Sequence, residues 1–186
     1  MSSLGSIPLS FIVPSRMLFL MWLIFFIELN FGINLAIFGI LPREAIGLLG
    51  ILFAPLLHGS LLHLVSNTLP LLFLGITLYY FYGKIARNVF LMSYFLTGTL
   101  VWLFGRTSFH IGASGLIYGI ASFLFFSGIV RAEFKSLVIS LAVVLTYGGL
   151  VWGVLPTLPG VSWESHLFGA LVGGAAAYIY RNRVIE

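Results

Sequence analysis

The chain has no cysteine, and its 186 residues include only 5 acidic side chains, all of them glutamate. Without cysteine there is no disulfide, no thiolate metal site and no cysteine nucleophile. Without aspartate there is neither an aspartyl protease pair nor a Ser-His-Asp triad. Charge of either sign is scarce, at 8% of residues, where soluble domains carry about a quarter. Apolar side chains are what the chain has in abundance: 60% of residues are hydrophobic, with a mean hydropathy of +1.13. Most of such a surface has to face lipid. The net charge of +4 and pI near 9.6 would elsewhere invite nucleic acid. In a chain this apolar, cations collect at the cytoplasmic face, so nucleic acid is not an expected partner.

A hydrocarbon core about 30 Å thick needs roughly 20 apolar helical residues per crossing. Six such spans are expected, at about 14–33, 62–81, 86–104, 114–130, 134–155 and 165–180. Breaks fall at Gly83-Lys84, at 131–133 and at 156–160. The first run follows Arg16 but outlasts a signal peptide, and no small-residue cleavage site closes it. With six spans, seven of the nine cations (Arg16, Lys84, Arg87, Arg131, Lys135, Arg181 and Arg183) share one side. The positive-inside rule makes that side, and both termini, cytoplasmic. The segment 34–61 is then external. It is apolar but broken by Pro42 and Pro55, which predicts a structured, partly embedded loop rather than a seventh span. One domain is expected to fill the chain, with no room for a soluble one beside it.

Polar groups inside hydrocarbon are costly and call for a reason. The candidates are Asn67, Ser114 and His166, at 17, 17 and 15 residues from the cations that end their spans, Lys84, Arg131 and Arg181. At 1.5 Å per residue these heights are roughly 25, 25 and 22 Å, so all three lie near one plane below the outer interface. His63 is one turn above Asn67. Gly115 and Gly119 on the fourth span, and Gly169 and Gly173 on the sixth, form two Gly-xxx-Gly steps that let helix backbones approach closely. If those faces meet, Ser114 and His166 come together at the top of the contact, and Tyr118 can stack on the imidazole. A serine hydroxyl next to a histidine base is the arrangement that nucleophilic catalysis needs.

The ordered set His58-Gly-Ser-Leu-Leu-His63-Leu-Val-Ser-Asn67, Gly112-Ala-Ser114-Gly115 with Tyr118, and His166-Leu-Phe-Gly169 with Gly173 resembles the rhomboid intramembrane proteases. The resemblance covers about 40–180. It implies an all-α membrane protein, a six-helix transmembrane rhomboid-like bundle with a structured external loop between the first two spans. It implies a serine endopeptidase with Ser114 as nucleophile and His166 as general base. The Ser114 backbone N–H and the side chains of His63 and Asn67 would form the oxyanion hole. His58 would order the external loop, and Gly112 would keep the approach to the serine open. The fifth span and the cap at 156–164 would gate substrate, itself a membrane-spanning helix. No cofactor is implied. Many members carry a Trp-Arg pair in the first external loop; this chain has none, and Pro42-Arg43 is the expected anchor.

Each residue also has a plainer reading. Ser114 between glycines can be packing, Asn67 interhelical glue, and His166 a satisfied interhelical histidine. His110 reads as an ordinary loop residue. Glu28 marks the outer interface, bonds to the following loop, or acts as a proton relay. Trp163, Tyr178 and Tyr180 read as interfacial belts. His58 and His63, five apart, do not share a helical face, and no His-Glu-x-x-His occurs, so no metal is expected. Two rival functions remain: an inactive rhomboid-like protein that only binds membrane helices, and a small transporter. A bacterial plasma membrane is the expected location.

Overall fold

The computed structural model describes residues 6–131, 133–157 and 160–183. Position 132 in the break at 131–133, and positions 158 and 159 in the cap, lie outside the described residues. Within them the fold is all-helical: α1 Ser6–Phe31, α2 Leu48–Phe53, α3 Leu61–Phe81, α4 Gly83–Phe104, α5 Ser114–Arg131, α6 Phe134–Tyr147 and α7 Trp163–Ile179. The only β pairing among the described residues is an isolated antiparallel bridge between Ile40 and His110.

The helices start and stop for local reasons. Ser60 caps α3 by accepting from the His63 N–H at 3.1 Å, and Ser162 caps α7. Capping of this kind satisfies amide donors that have no partner within the helix. Helix α1 runs through Pro14 instead of starting there. Gly75 on α3 leaves room for the Pro14 ring, since a Cβ at that position would lie 2.7 Å from it. Helix α6 stops at Tyr147 and continues as a 3-10 helix over Gly148–Val154. The Gly148-Gly149 pair costs helix stability there.

Among the described residues, four segments are long and apolar enough to cross a membrane: Ser10–Phe31, Leu61–Phe81, Ser114–Arg131 and Phe134–Val154. The two other expected spans fall short for different reasons. Helix α4 has 22 residues but carries Lys84 and Arg87 in its first turns. Helix α7 has 17 residues, about 25 Å of helix.

Helix α5 is the centre of the bundle, and 61% of its span is buried. It packs on α7 most extensively, and also on α6, α4 and α3, while α1 packs on α3. Leu116, Ile117, Ile120, Phe123 and Leu124 of α5 form the middle of the core with Leu71, Leu74 and Leu78 of α3 and Val89 and Phe90 of α4. Large apolar side chains such as Phe31, Leu62, Phe134 and Leu145 are exposed around the outside. An all-round apolar surface of this kind suits lipid.

The segment from α1 to α3 holds α2 and three 3-10 turns and lies against α4. Glu28 accepts from the Leu35 N–H at 2.7 Å, which is the loop-bonding alternative for that residue. Arg43 takes a left-handed backbone, φ 63°. It donates to the Gly105 carbonyl at 2.8 Å and to Thr107 Oγ1 at 3.2 Å, just past the end of α4. Carbonyls there are unpaired and carry the negative end of the helix dipole, so a guanidinium suits them. Trp102 Nε1 donates to the Glu44 carbonyl at 2.9 Å. The loop thus docks through Arg43 without a Trp-Arg pair.

Candidate active site

Gly112 has φ +108°, a conformation that side chains rarely adopt. Its N–H bonds to the Ala54 carbonyl at 2.8 Å, which ties the approach to α5 to the segment between α1 and α3. A Cβ at Gly112 would stand 2.6 Å from His63 Nε2. The glycine is therefore required so that the His63 ring can lie against the backbone just ahead of Ser114. Ser114 is the first residue of α5, where backbone N–H groups lack helical partners and the dipole favours negative charge.

His166 lies in the first turn of α7 and is 8% exposed. Its Nε2 is 2.8 Å from Ser114 Oγ, and its Nδ1 is 2.8 Å from the Gly153 carbonyl. A carbonyl can only accept, so Nδ1 carries the proton and Nε2 presents a lone pair to the serine hydroxyl. A backbone carbonyl thus sets the tautomer in a chain with no aspartate. Tyr118 stacks on the imidazole with centroids 4.2 Å apart and planes at 5°. Its hydroxyl donates to the Leu150 carbonyl at 2.7 Å. Both carbonyls belong to the 3-10 extension of α6, and a backbone acceptor of this kind leaves no mark in a sequence.

Asn67 is buried on α3 and gives one amide hydrogen to the His63 carbonyl at 2.8 Å. An amide has two donor hydrogens, so one remains for a ligand. His63, Asn67, Ser114, Tyr118 and His166 all line one open cavity of about 1090 Å³. His58 is buried behind them and does not line it. Its Nδ1 lies 3.3 Å from the Leu56 carbonyl, and its ring meets His63 edge-on at 4.9 Å. Burial, and then the nearby His63, lower the His58 pKa to about 4, so it is neutral at pH 7.

The glycine steps meet as the spacing predicts, with one difference. A Cβ at Gly169 or Gly173 would run into the carbonyl of Gly115 or Gly119, so α7 rests on the bare backbone of α5. The space left by Gly119 itself faces Ser93 of α4, at 2.6 Å, and that of Gly115 faces Thr97 of α4 at 3.0 Å and the Ser165 carbonyl of α7 at 3.2 Å. The α5 glycines therefore admit two neighbours, not one.

His110 differs from its expected place as an ordinary loop residue. It is 2% exposed and stands at the centre of a polar network beside the site. Its only signal in the sequence is its position four residues ahead of Ser114.

The Rhomboid domain family matches residues 45–183. An uncharacterised protein of Mycobacterium tuberculosis is 39% identical over 171 residues, covering 86% of this chain and 70% of the relative. One from Mycobacterium leprae is 42% identical over 142 residues, covering 70% of this chain and 55% of its own. The RHOMBOID-like protein 4 of Arabidopsis thaliana is 30% identical over 128 residues, 66% of this chain and 32% of that protein. With its apolar helices and a domain match across most of its length, this chain is a multi-pass membrane protein and belongs to the rhomboid family.

Proposed function

We propose that the chain is an intramembrane serine endopeptidase that cleaves other membrane-spanning proteins near the external face. The observation that carries this reading is the 2.8 Å contact between His166 Nε2 and Ser114 Oγ, with Nδ1 held by Gly153, at the wall of an open cavity. In this reading His166 takes the hydroxyl proton as Ser114 Oγ attacks the substrate carbonyl carbon. The tetrahedral oxyanion receives hydrogen bonds from the Ser114 N–H, the free amide hydrogen of Asn67 and a ring N–H of His63. Loss of one such donor costs about 10²–10³ in turnover in soluble serine proteases. His166 then returns the proton to the leaving amine as the C–N bond breaks, and water hydrolyses the acyl-enzyme through the same base.

The membrane arrangement that goes with this reading has six spans, with α4 and α7 crossing beside the four longer segments. Both termini are cytoplasmic, and a bacterial plasma membrane is the setting. Seven of nine cations then lie inside. The substrate helix has to unwind locally, because a helix hides its carbonyls in its own hydrogen bonds.

The test is cleavage of a single-span substrate by purified wild type, Ser114→Ala and His166→Ala in detergent, with labelling by a fluorophosphonate probe alongside. Wild type is expected to cleave and to label at Ser114, and both folded variants to be silent. Variants that cleave as well as wild type would make Ser114 and His166 packing residues. A wild type that neither cleaves nor labels would leave the chain a helix-binding member of the family.

A further inference from the structure

Two short segments lead into the site. One, 105–113, ends at Ser114; the other, 160–165, ends at His166. Among the side-chain contacts that join them is one between His110 Nδ1 and Ser162 Oγ, at 2.6 Å. His110 is four residues before Ser114, and Ser162 is four before His166. We propose that His110 and Ser162 form a strut that sets the register of the Ser114–His166 pair, and that both are positioning residues for the reaction. The inference rests on the protease reading above.

Hydrogen-bond logic fixes the direction of the contact. His110 Nε2 is 3.0 Å from the Arg106 carbonyl, so it carries the hydrogen. Nδ1 then has a lone pair and accepts from the Ser162 hydroxyl. Burial lowers the His110 pKa, which keeps this neutral form in place at pH 7. Ser162 Oγ in turn accepts from the Ser165 N–H at 3.4 Å and contacts Ser165 Oγ at 2.6 Å. One oxygen thus caps α7 and ties the cap to the serine arm.

The post it leans on is fixed. The His110 backbone exchanges two hydrogen bonds with Ile40, at 2.9 and 3.0 Å, and the ring is 2% exposed. A parallel brace runs from Arg106 to Glu164, 3.4 Å, and to the Val161 carbonyl, 2.6 Å. Arg106 is half-exposed in that brace, so solvent weakens it. His110 is buried and Ser162 half-buried, so solvent weakens their contact less.

Below the site the seam is held further along: Gly169 and Gly173 rest on the α5 backbone, and Ser122 Oγ of α5 donates to the Ala170 carbonyl of α7 at 2.6 Å. The first turn of α7 lies beyond those contacts. His166 is in the first turn of α7, and its N–H reaches the Ser162 carbonyl only at 3.4 Å. Fraying of that turn would carry the imidazole away from Ser114.

The experiment compares His110→Ala, Ser162→Ala, their double variant, His110→Asn and His110→Gln in the intact chain. It reads kcat, KM, the rate of fluorophosphonate labelling at Ser114, and Tm. Each alanine variant is expected to lower kcat and labelling in parallel by about 10–100-fold, the scale of a 1 Å misplacement. KM should hold, and the double variant should be no worse than the singles. An Asn amide can occupy the position of Nδ1, so His110→Asn should regain most of the loss and His110→Gln should not. If His110→Ala does not fold, Ser162→Ala, which removes one oxygen, decides alone. Unchanged labelling, a loss confined to KM, or additive losses would each overturn the strut while leaving the protease reading intact. A wild type inert to both substrate and probe would sink that reading, and the strut with it.

Discussion

The two sides of the candidate site are built in opposite ways. On one side α7 lies against α5 through glycines, backbone on backbone, and 61% of the α5 span is buried. On the other side stands α6 with its 3-10 extension, which buries four residues, all in α6. Its buried residues, Ser136, Ile139, Ser140 and Val143, all belong to the N-terminal part, where Ser140 donates to the Phe125 carbonyl and packs against Gly128. Further out it touches the site through two carbonyls, Leu150 to Tyr118 and Gly153 to His166. The most buried element therefore carries Ser114, and the least buried one supplies the acceptor that orients His166. The serine is set by close packing. The tautomer of its base depends on a backbone carbonyl of the less buried element.

The seam should give the larger effect. Gly173→Leu would drive a side chain into the Gly119 carbonyl and the Phe123 amide, and backbone cannot step aside as a side chain can. Overpacking costs about 1–3 kcal/mol, and here the upper end is expected. Cleavage should be lost together with a fall in Tm in detergent. A variant with wild-type Tm and activity would show that α7 is not locked to α5.

Gly153→Ala should separate activity from stability. The added methyl would overlap the Tyr118 hydroxyl and stand 3.1 Å from His166 Nδ1. These are the two rings whose stacking places the base. The segment around it is largely exposed, so Tm should change little. Turnover should drop by about 10²-fold, since small misplacements of reacting groups cost that much. An unchanged kcat would mean that the Gly153 carbonyl does not orient the histidine.

The difference between the two sides also explains what could be read in the sequence. Helix against helix was legible at α5 and α7, because glycine steps and a misplaced polar residue are both side-chain signals with a fixed period. Ser114, His166 and Tyr118 come together as that period predicts. The α6 contribution was not legible, since Gly153 and Leu150 act through carbonyls that every residue has. His110 and Ser162 are 52 residues apart in a region with no periodicity, so nothing in the sequence pairs them. Helix α4 shows a further limit: its N-terminal cations and its Ser93 and Thr97 dilute the apolar run, although the helix is 22 residues long. The docking of Arg43 depends on a left-handed backbone that a sequence shows only for glycine.

The smallest expected effect lies on the outer part of α6 itself. Leu145 is 77% exposed, whereas Val143, two residues away on the opposite face, is 8% exposed and belongs to the core cluster. Truncating Leu145 to alanine removes apolar surface that meets lipid and opens no cavity. Stability should stay within about 0.5 kcal/mol of wild type, as for substitutions away from packed features. Val143→Ala deletes two buried methyls, and at ~0.8 kcal/mol per buried carbon plus a cavity term it should cost roughly 1–2 kcal/mol. Tm of the two variants in detergent measures the contrast. If Leu145→Ala were as destabilising as Val143→Ala, the outer half of α6 would be held by a partner surface, and the His166 acceptor would sit on a wall as firm as the glycine seam. If only Val143→Ala loses stability, the element that orients the base is anchored at its inner end and loose where it meets the site.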